Sequence, residues 1–174
     1  TEPVLEAINK TTAAGVRIVG PQSLGLMTPS EGLNLSYLPS LPPAGEVGLV
    51  SQSPGLSCTI IDYVTNAQCG FSHVIDPGFE QVLTVADYVD MLAFDRKTRC
   101  IVLYLESFQQ PRKLLSAIRL AAANKPVILL KGGQTPGSAD IVINNSGARE
   151  DEDGVMKRAL VRAGALLVLS LIHI

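Results

Sequence analysis

The chain has no tryptophan, and its aromatic residues make up only 5% of 174 positions. So thin a supply leaves no platform for stacked nucleic-acid bases, and Phe79 and Phe108 alone are little for a flavin ring. Charge of one sign is also lacking. Fourteen Lys and Arg against sixteen Asp and Glu give a formal net charge of −2 with no basic stripe, so nucleic acid is not an expected partner. Cysteine is scarce and odd in number: Cys58, Cys69 and Cys100 each sit in or beside an apolar stretch, and no CxxC occurs. They read as buried free thiols of a reducing compartment, without a disulfide frame and without a metal site. No apolar run reaches membrane-spanning length and no signal peptide opens the chain, so no membrane partner and a cytoplasmic location are expected. Of the two histidines, His73 lies within a strand pattern beside Ser72 and reads as structural, with no metal-ligand spacing around it.

What the chain does contain is apolar and periodic. It is 47% hydrophobic and 17% charged, the balance of a globular protein. The length suits one good core, or one domain with a piece of another. The organising stretch runs from Gly45 to Ser57. Val47, Leu49 and Val50 read as a short buried strand. Ser51, Gln52, Ser53 and Gly55 form a tight turn, and Leu56, Ile60, Ile61 and Val64 trace one face of a helix. Such a turn aims free backbone N–H groups, at the positive end of the helix dipole, above the sheet. Pro54 suits the first helical turn because its missing N–H has no helical partner there. The stretch therefore reads as an anion or phosphate cradle in which Ser51 and Ser53 add hydroxyls. It reads as well as an ordinary strand–helix turn with Ser53 as N-cap.

Before this stretch, Val4, Leu5 and Ile8 share a helical face that Gly15 closes, and Val16 to Val19 reads as a buried strand ended by Gly20-Pro21. Leu26 to Pro43 reads as an ordered linker. After it, strands are expected at Phe71–Ile75, Cys100–Leu105, Val127–Leu130 and Leu166–Val168, with helices between them. The fully apolar Cys100–Leu105 run suits a central parallel strand. This alternation predicts an α/β fold with a doubly wound parallel sheet, whose ligands sit at the carboxyl ends of the strands. Those ends carry Ser51-Gln52-Ser53, Asp76-Pro77-Gly78, Glu106-Ser107 and Lys131-Gly132-Gly133. Glu106 is the most telling of them, either as a site carboxylate or as a helix cap; Lys131 reads as a solvated strand-end lysine.

Five segments in order carry a resemblance: Gly15 to Gly25, Leu41 to Gly45, Leu49 to Ser53, Leu103 to Ser107 and Lys125 to Lys131. Together they resemble the NDP-forming acyl-CoA synthetases, relatives of the succinyl-CoA synthetase α subunit. The resemblance implies that residues 1–37 are the last helix and strand of a CoA-binding Rossmann domain, and that residues 38–168 are a flavodoxin-like domain. Residues 169–174 break the pattern, resemble translated adapter sequence, and are expected to be an artefactual tail. In that family a loop histidine relays a phosphoryl group from acyl phosphate to a nucleotide. The resemblance assigns the phosphate cradle to Ser51, Gln52, Ser53 and Gly55, the histidine-holding carboxylate to Glu106, and the CoA- and phosphate-adjacent pair to Gln22 and Ser23.

The relay histidine itself falls on Asn145, in Asn144-Asn145-Ser146-Gly147-Ala148. An amide nitrogen cannot carry a phosphoryl group as a neutral imidazole does. Pro54, Gln134 and Gly78-Phe79 depart from the family pattern as well. This combination resembles the synthetase-like region of bacterial protein lysine acetyltransferases, which has lost the histidine. Two expectations follow. One is a non-catalytic acyl-CoA- and phosphate-binding regulatory segment of such a transferase; the other is a piece of an active ADP-forming acetate– or acyl–CoA ligase. Either implies CoA or acyl-CoA and ADP or ATP as ligands of a full-length parent, with no cofactor held tightly by this segment. Either also implies partner domains on both sides and a homo-oligomer. A free-standing flavodoxin or receiver domain ranks lower, because Ser51-Gln52-Ser53 stands where a receiver needs acids.

Overall fold

The structure, a computed structural model, describes residues 2–132 and 150–168. Asn145 and its neighbours Asn144 to Ala148, Gln134, and the tail 169–174 lie outside the described residues. Helix α1 (Glu2–Ala13) leads to a hairpin of β1 (Gly25–Thr28) and β2 (Leu33–Ser36). Then come β3 (Ala44–Ser51), α2 (Pro54–Asn66), β4 (Phe71–Ile75), α3 (Val85–Phe94) and β5 (Cys100–Leu105). The chain continues through α4 (Pro111–Ala122), β6 (Val127–Lys131), α5 (Glu150–Arg162) and β7 (Leu166–Val168).

One seven-stranded sheet has the order β2-β1-β4-β3-β5-β6-β7. Its five strands from β4 to β7 run parallel, and the hairpin adds two antiparallel strands at one edge. Numbered by their own succession, the parallel strands stand in the order 2-1-3-4-5. This is the flavodoxin-like winding, which reverses direction between β3 and β5. The α/β doubly wound expectation is therefore met, and ligands of such sheets sit at the carboxyl side of that reversal.

Two apolar layers hold the sheet. On one face α3, α4 and α5 cover Val50, Ile75, Ile101, Leu103 and Leu129; Leu114, Ala117, Ile118 and Ala121 give α4 its buried stripe. On the other face α2 brings Ile60, Ile61 and Val64 onto Leu49, Phe71, Val74 and Val102. Strand β5 is buried on both faces, as its continuous apolar run requires. The start of α3 is fixed by Asp87, whose carboxylate reaches back to accept from the Thr84 N–H at 2.9 Å and the Thr84 hydroxyl at 2.8 Å.

Three sequence expectations need correction. The stretch read as an ordered linker contains the β1–β2 hairpin, and Leu26 and Met27 pair with Ile75 and Val74 of β4. Pro29 opens the short 3-10 turn Pro29–Glu31 and Gly32 caps it, reversing the chain. Gly25 lets the two strands close: a Cβ there would stand 2.0 Å from the Leu35 carbonyl oxygen. Val16 to Val19 is not a strand, because a strand exists by pairing and no described strand pairs with it; Val16 and Val19 are exposed. The cysteines are free but not buried: Cys69 is exposed, and Cys58 and Cys100 are half-buried. Gly15 does close α1, at φ 85°, with its N–H on the Thr12 carbonyl.

Candidate functional site

At the carboxyl edge, where the winding reverses, a cleft of about 330 Å³ opens between the ends of β3 and β5. It draws together Gln22, Gln52, Ser53 and Glu106, four of the residues singled out from sequence. Phe79, Glu80 and Gln109 complete its walls.

Gln52 is the strut of this cleft. Its side-chain carbonyl accepts from the N–H groups of Glu106, at 2.6 Å, and Ser107, at 3.0 Å. Its amide nitrogen donates to the Glu80 carboxylate. The other oxygen of Glu80 accepts from the Val85 N–H at 2.9 Å, at the first residue of α3. One neutral side chain thus ties the turn after β5, through Glu80, to the start of α3.

A second clasp positions Gln22. The Asp76 carboxylate, at the end of β4, accepts from the N–H groups of Leu24 at 2.8 Å and Gly78 at 2.9 Å. The Ser23 hydroxyl donates to the Asp76 carbonyl, and the Phe79 N–H to the Pro21 carbonyl at 2.9 Å. Gly78 is required for this closeness. Its φ is +63°, and a Cβ would meet the Pro21 oxygen at 2.2 Å. Ser23 therefore serves as a fastener beside the cleft, while Gln22 lines it.

The turn between β3 and α2 is less generous with donors than its sequence suggests. Ser51 is fully buried; its hydroxyl donates to the Ser53 carbonyl at 3.0 Å and accepts from the Ser53 N–H at 3.2 Å. It is spent inside the turn and does not line the cleft. Ser53 is the N-cap of α2, its hydroxyl oxygen accepting from the Leu56 N–H at 3.3 Å. Pro54 has no N–H to offer. Among the described residues the Gly55 N–H finds no acceptor, and it stands at the positive end of α2. The cradle is thus one open amide and a helix end, beside the side-chain amides of Gln22 and Gln52.

The charges of the cleft are negative. Burial pushes the Glu80 carboxyl above its ordinary pKa, against the pull of the Val85 and Gln52 donors. Burial does the same to Glu106, opposed by the Tyr104 hydroxyl and Lys131 and reinforced by Asp76. Asp76 is also raised by burial, against its two backbone donors. The Tyr104 hydroxyl donates to Glu106 at 3.4 Å, and burial near that carboxylate pushes the phenol up to about 12. Lys131 corrects the solvated reading. It is 2% exposed, donates to the carbonyls of Glu106 at 3.0 Å and Gly132 at 2.9 Å, and lies 5.4 Å over the Phe108 ring. Capping of a neighbouring helix, the alternative use of Glu106, falls to Glu80 instead. Sequence reasoning missed Glu80; its one signal was an acid five residues before a helix start.

Among the described lining residues there is no Cys, His or Lys; the Ser53 oxygen is engaged as a helix cap, and the ionisable groups are the carboxyls of Glu80 and Glu106. An anion placed at Gly55 would gain the helix end and the amides and would feel Glu106 and Glu80 nearby. A donor such as an imidazole or an amide would suit Glu106 directly.

Known proteins share this sequence pattern and fold. The profile of the succinyl-CoA ligase like flavodoxin domain matches residues 44–173. An ADP-forming acetate–CoA ligase of Methanocaldococcus jannaschii is 31% identical over 151 residues, 87% of this chain and 21% of that protein. An ADP-forming 4-hydroxybutyrate–CoA ligase of Nitrosopumilus maritimus is 29% identical over 157 residues, 88% of this chain and 22% of that protein. The dinucleotide forming acetyl-coenzyme A synthetase 1 of Ca. Korarchaeum cryptofilum, solved with phosphate and ADP, superposes with a TM-score of 0.88 at 24% identity, over 96% of this chain and 36% of that one. The chain thus spans between a fifth and a quarter of the length of these two ligases.

Proposed function

The chain belongs to the succinyl-CoA-ligase-like flavodoxin domains, and from that premise we propose that it is a non-catalytic acyl-CoA- and phosphate-binding segment of a larger protein. By the resemblance already drawn, that protein is a lysine acetyltransferase in which this segment senses acyl-CoA and phosphate. The observation that carries the reading is Asn145 at the position of the relay histidine. It is supported by a cleft whose described lining holds no Cys, His or Lys. Gln22 and Ser23 would adjoin CoA held by a preceding domain of the parent. Gly55, Gln52 and Ser53 would face a phosphate. Glu106, in place of an imidazole, would accept from the Asn145 amide.

A second reading has its own support. Gln52, Glu106 and Glu80 stand in an intact, interlocked cleft, and the relatives are ADP-forming ligases. On this reading the parent is itself an ADP-forming acetate– or acyl–CoA ligase. The two are separated by incubating the full-length parent with labelled ATP, an acyl acid and CoA. The non-catalytic reading expects neither ADP nor acyl-CoA above background, and expects Asn145→His to restore phosphorylation of that position if the partner domains supply the nucleotide site. Turnover by the unaltered protein at ligase rates would overturn it.

A further inference from the structure

A groove of about 250 Å³ runs between α4 and α5, lined by Leu115, Arg119, Val155, Arg158, Ala159 and Arg162. Three of its six lining residues are arginines. The sequence supplies none of these arginines with a helical ion-pair partner. Positions three and four away from Arg119 hold Leu115, Ser116, Ala122 and Ala123; those around Arg158 hold Gly154, Val155, Val161 and Arg162; those around Arg162 hold Arg158, Ala159, Ala165 and Leu166. Arg158 and Arg162 are themselves a like-charged pair at i, i+4, a spacing that works against the helix. Among the described residues the ion pairs are Lys10–Glu6, His73–Asp95, Lys97–Glu31 and Lys113–Asp87, and none includes these arginines. Three like charges from two helices therefore converge on a concave surface whose floor, Leu115, Val155 and Ala159, is apolar.

We infer that this groove binds a small molecule carrying a phosphate or pyrophosphate group. Guanidinium forks match phosphate oxygens bidentately and stay charged at any working pH. Three of them would neutralise a dianion and relieve the Arg158–Arg162 repulsion at once. The apolar floor would lie under the organic part of the ligand. Two sources share this chemistry: a free phosphate, and the phosphates of a nucleotide or of CoA. The groove shares no lining residue with the cleft at the β3 and β5 ends, so the inference does not rest on the function proposed above.

The test is amide NMR of the whole chain titrated separately with inorganic phosphate, ADP and CoA. Saturable shifts are expected at residues 115–119 and 155–162 with at least one of the three. The variant Arg158→Gln with Arg162→Gln should weaken that binding about tenfold or more, since it removes two of the three charge-assisted contacts. Both sites are exposed and glutamine is a comparable helix former, so the fold should survive, which unchanged shifts elsewhere would report. Shifts with all three probes assign the site to the phosphate alone; shifts with ADP or CoA only bring the apolar floor into the contact. No saturable shift in the groove with any probe overturns the inference. So does binding that the double variant retains, or a response confined to a poly-glutamate peptide, which would make the groove a protein-docking face. Shifts at Gln52 to Leu56 report the cleft and are read separately.

Discussion

Each end of the sheet carries a network of polar side chains, and the two networks are used differently. At the amino end, Ser72 and Thr98 share a hydrogen bond at 2.7 Å, Thr98 donates to Asp95 at 2.6 Å, and His73 Nδ1 stands 3.6 Å from the same carboxylate. Lys125 then donates to the Leu92 and Asp95 carbonyls at the end of α3. That cluster turns inward and seals a helix end. At the carboxyl end Gln52, Glu80 and Glu106 are bonded too, yet they line an open cleft, and Asp76 clasps the loop beside it. Both networks hold loops and helix ends in place, and the second does so at the border of open space, with Glu80 and Gln52 fully engaged by backbone and side-chain partners.

The sharpest way to break this contrast is at two glycines. Gly78→Ala puts a methyl against backbone at a positive φ and should cost about 3 kcal/mol, opening the clasp that sets Gln22. Gly48→Ala at the opposite end meets only the side chains of Leu92 and Thr98, at 3.0 Å, which can give; about 1 kcal/mol is expected. Urea unfolding of the two variants measures the difference, and a larger loss for Gly48→Ala would reverse the comparison.

A smaller effect separates the networks themselves. Gln52→Leu leaves the Glu106 and Ser107 N–H groups and the Glu80 carboxylate short of partners, for roughly 2–3 kcal/mol. Thr98→Val strands one hydroxyl and one carboxylate bond, for about 1–2 kcal/mol. Only the first should also shift the amide signals of Gly55 and Leu56, because only Gln52 borders the cleft.

The smallest effect is the response to acid, and it has opposite signs at the two ends. Burial holds the His73 pKa below its ordinary 6.5, more than Asp95 and Glu31 raise it, with Lys97 lowering it further. The unfolded chain therefore takes up the proton first, and this contribution to stability falls as pH drops below about 6.5. The Glu80 and Glu106 carboxyls are raised, so the folded state binds their protons first; their contribution grows as pH falls through the folded values toward the ordinary 4.5. Unfolding free energies across pH 4 to 7.5 should become flatter at the upper end in His73→Asn and lose part of the acid-side gain in Glu106→Gln, Glu80 keeping the rest. Parallel slopes for wild type and both variants would contradict this account.

How much of this was legible in the sequence differs between elements for physical reasons. The parallel strands were readable because burial on both faces leaves continuous apolar runs such as Cys100–Leu105. The β1–β2 hairpin was not. Its four-residue strands are short and half exposed, and the proline and glycine between them signal a turn without saying what flanks it. Gln52, Ser53 and Glu106 could be singled out because strand ends at the reversal of winding are where a doubly wound sheet binds ligands, whereas Gln22 is singled out by the family resemblance alone; all four line one cleft. Ser51 was misjudged because sequence cannot show that a hydroxyl is consumed by its own turn. Lys131 was misjudged because a lysine at a strand end reads the same whether it meets water or carbonyls. Glu80 was missed because its loop carries no periodic pattern.

The central claim, that this carboxyl edge is a binding cleft and not an inherited turn, is tested most directly by phosphate titration followed through the amides of Gln52 to Leu56. Position 55 has no atom within 4 Å of a would-be Cβ, so Gly55→Asp can place a carboxylate at the helix end without disturbing packing. Saturable shifts in the wild type that vanish in Gly55→Asp, and that strengthen as pH is lowered and the carboxyls of Glu80 and Glu106 protonate, are the predicted result. Wild-type amides that do not move, or that move equally in Gly55→Asp, would contradict it.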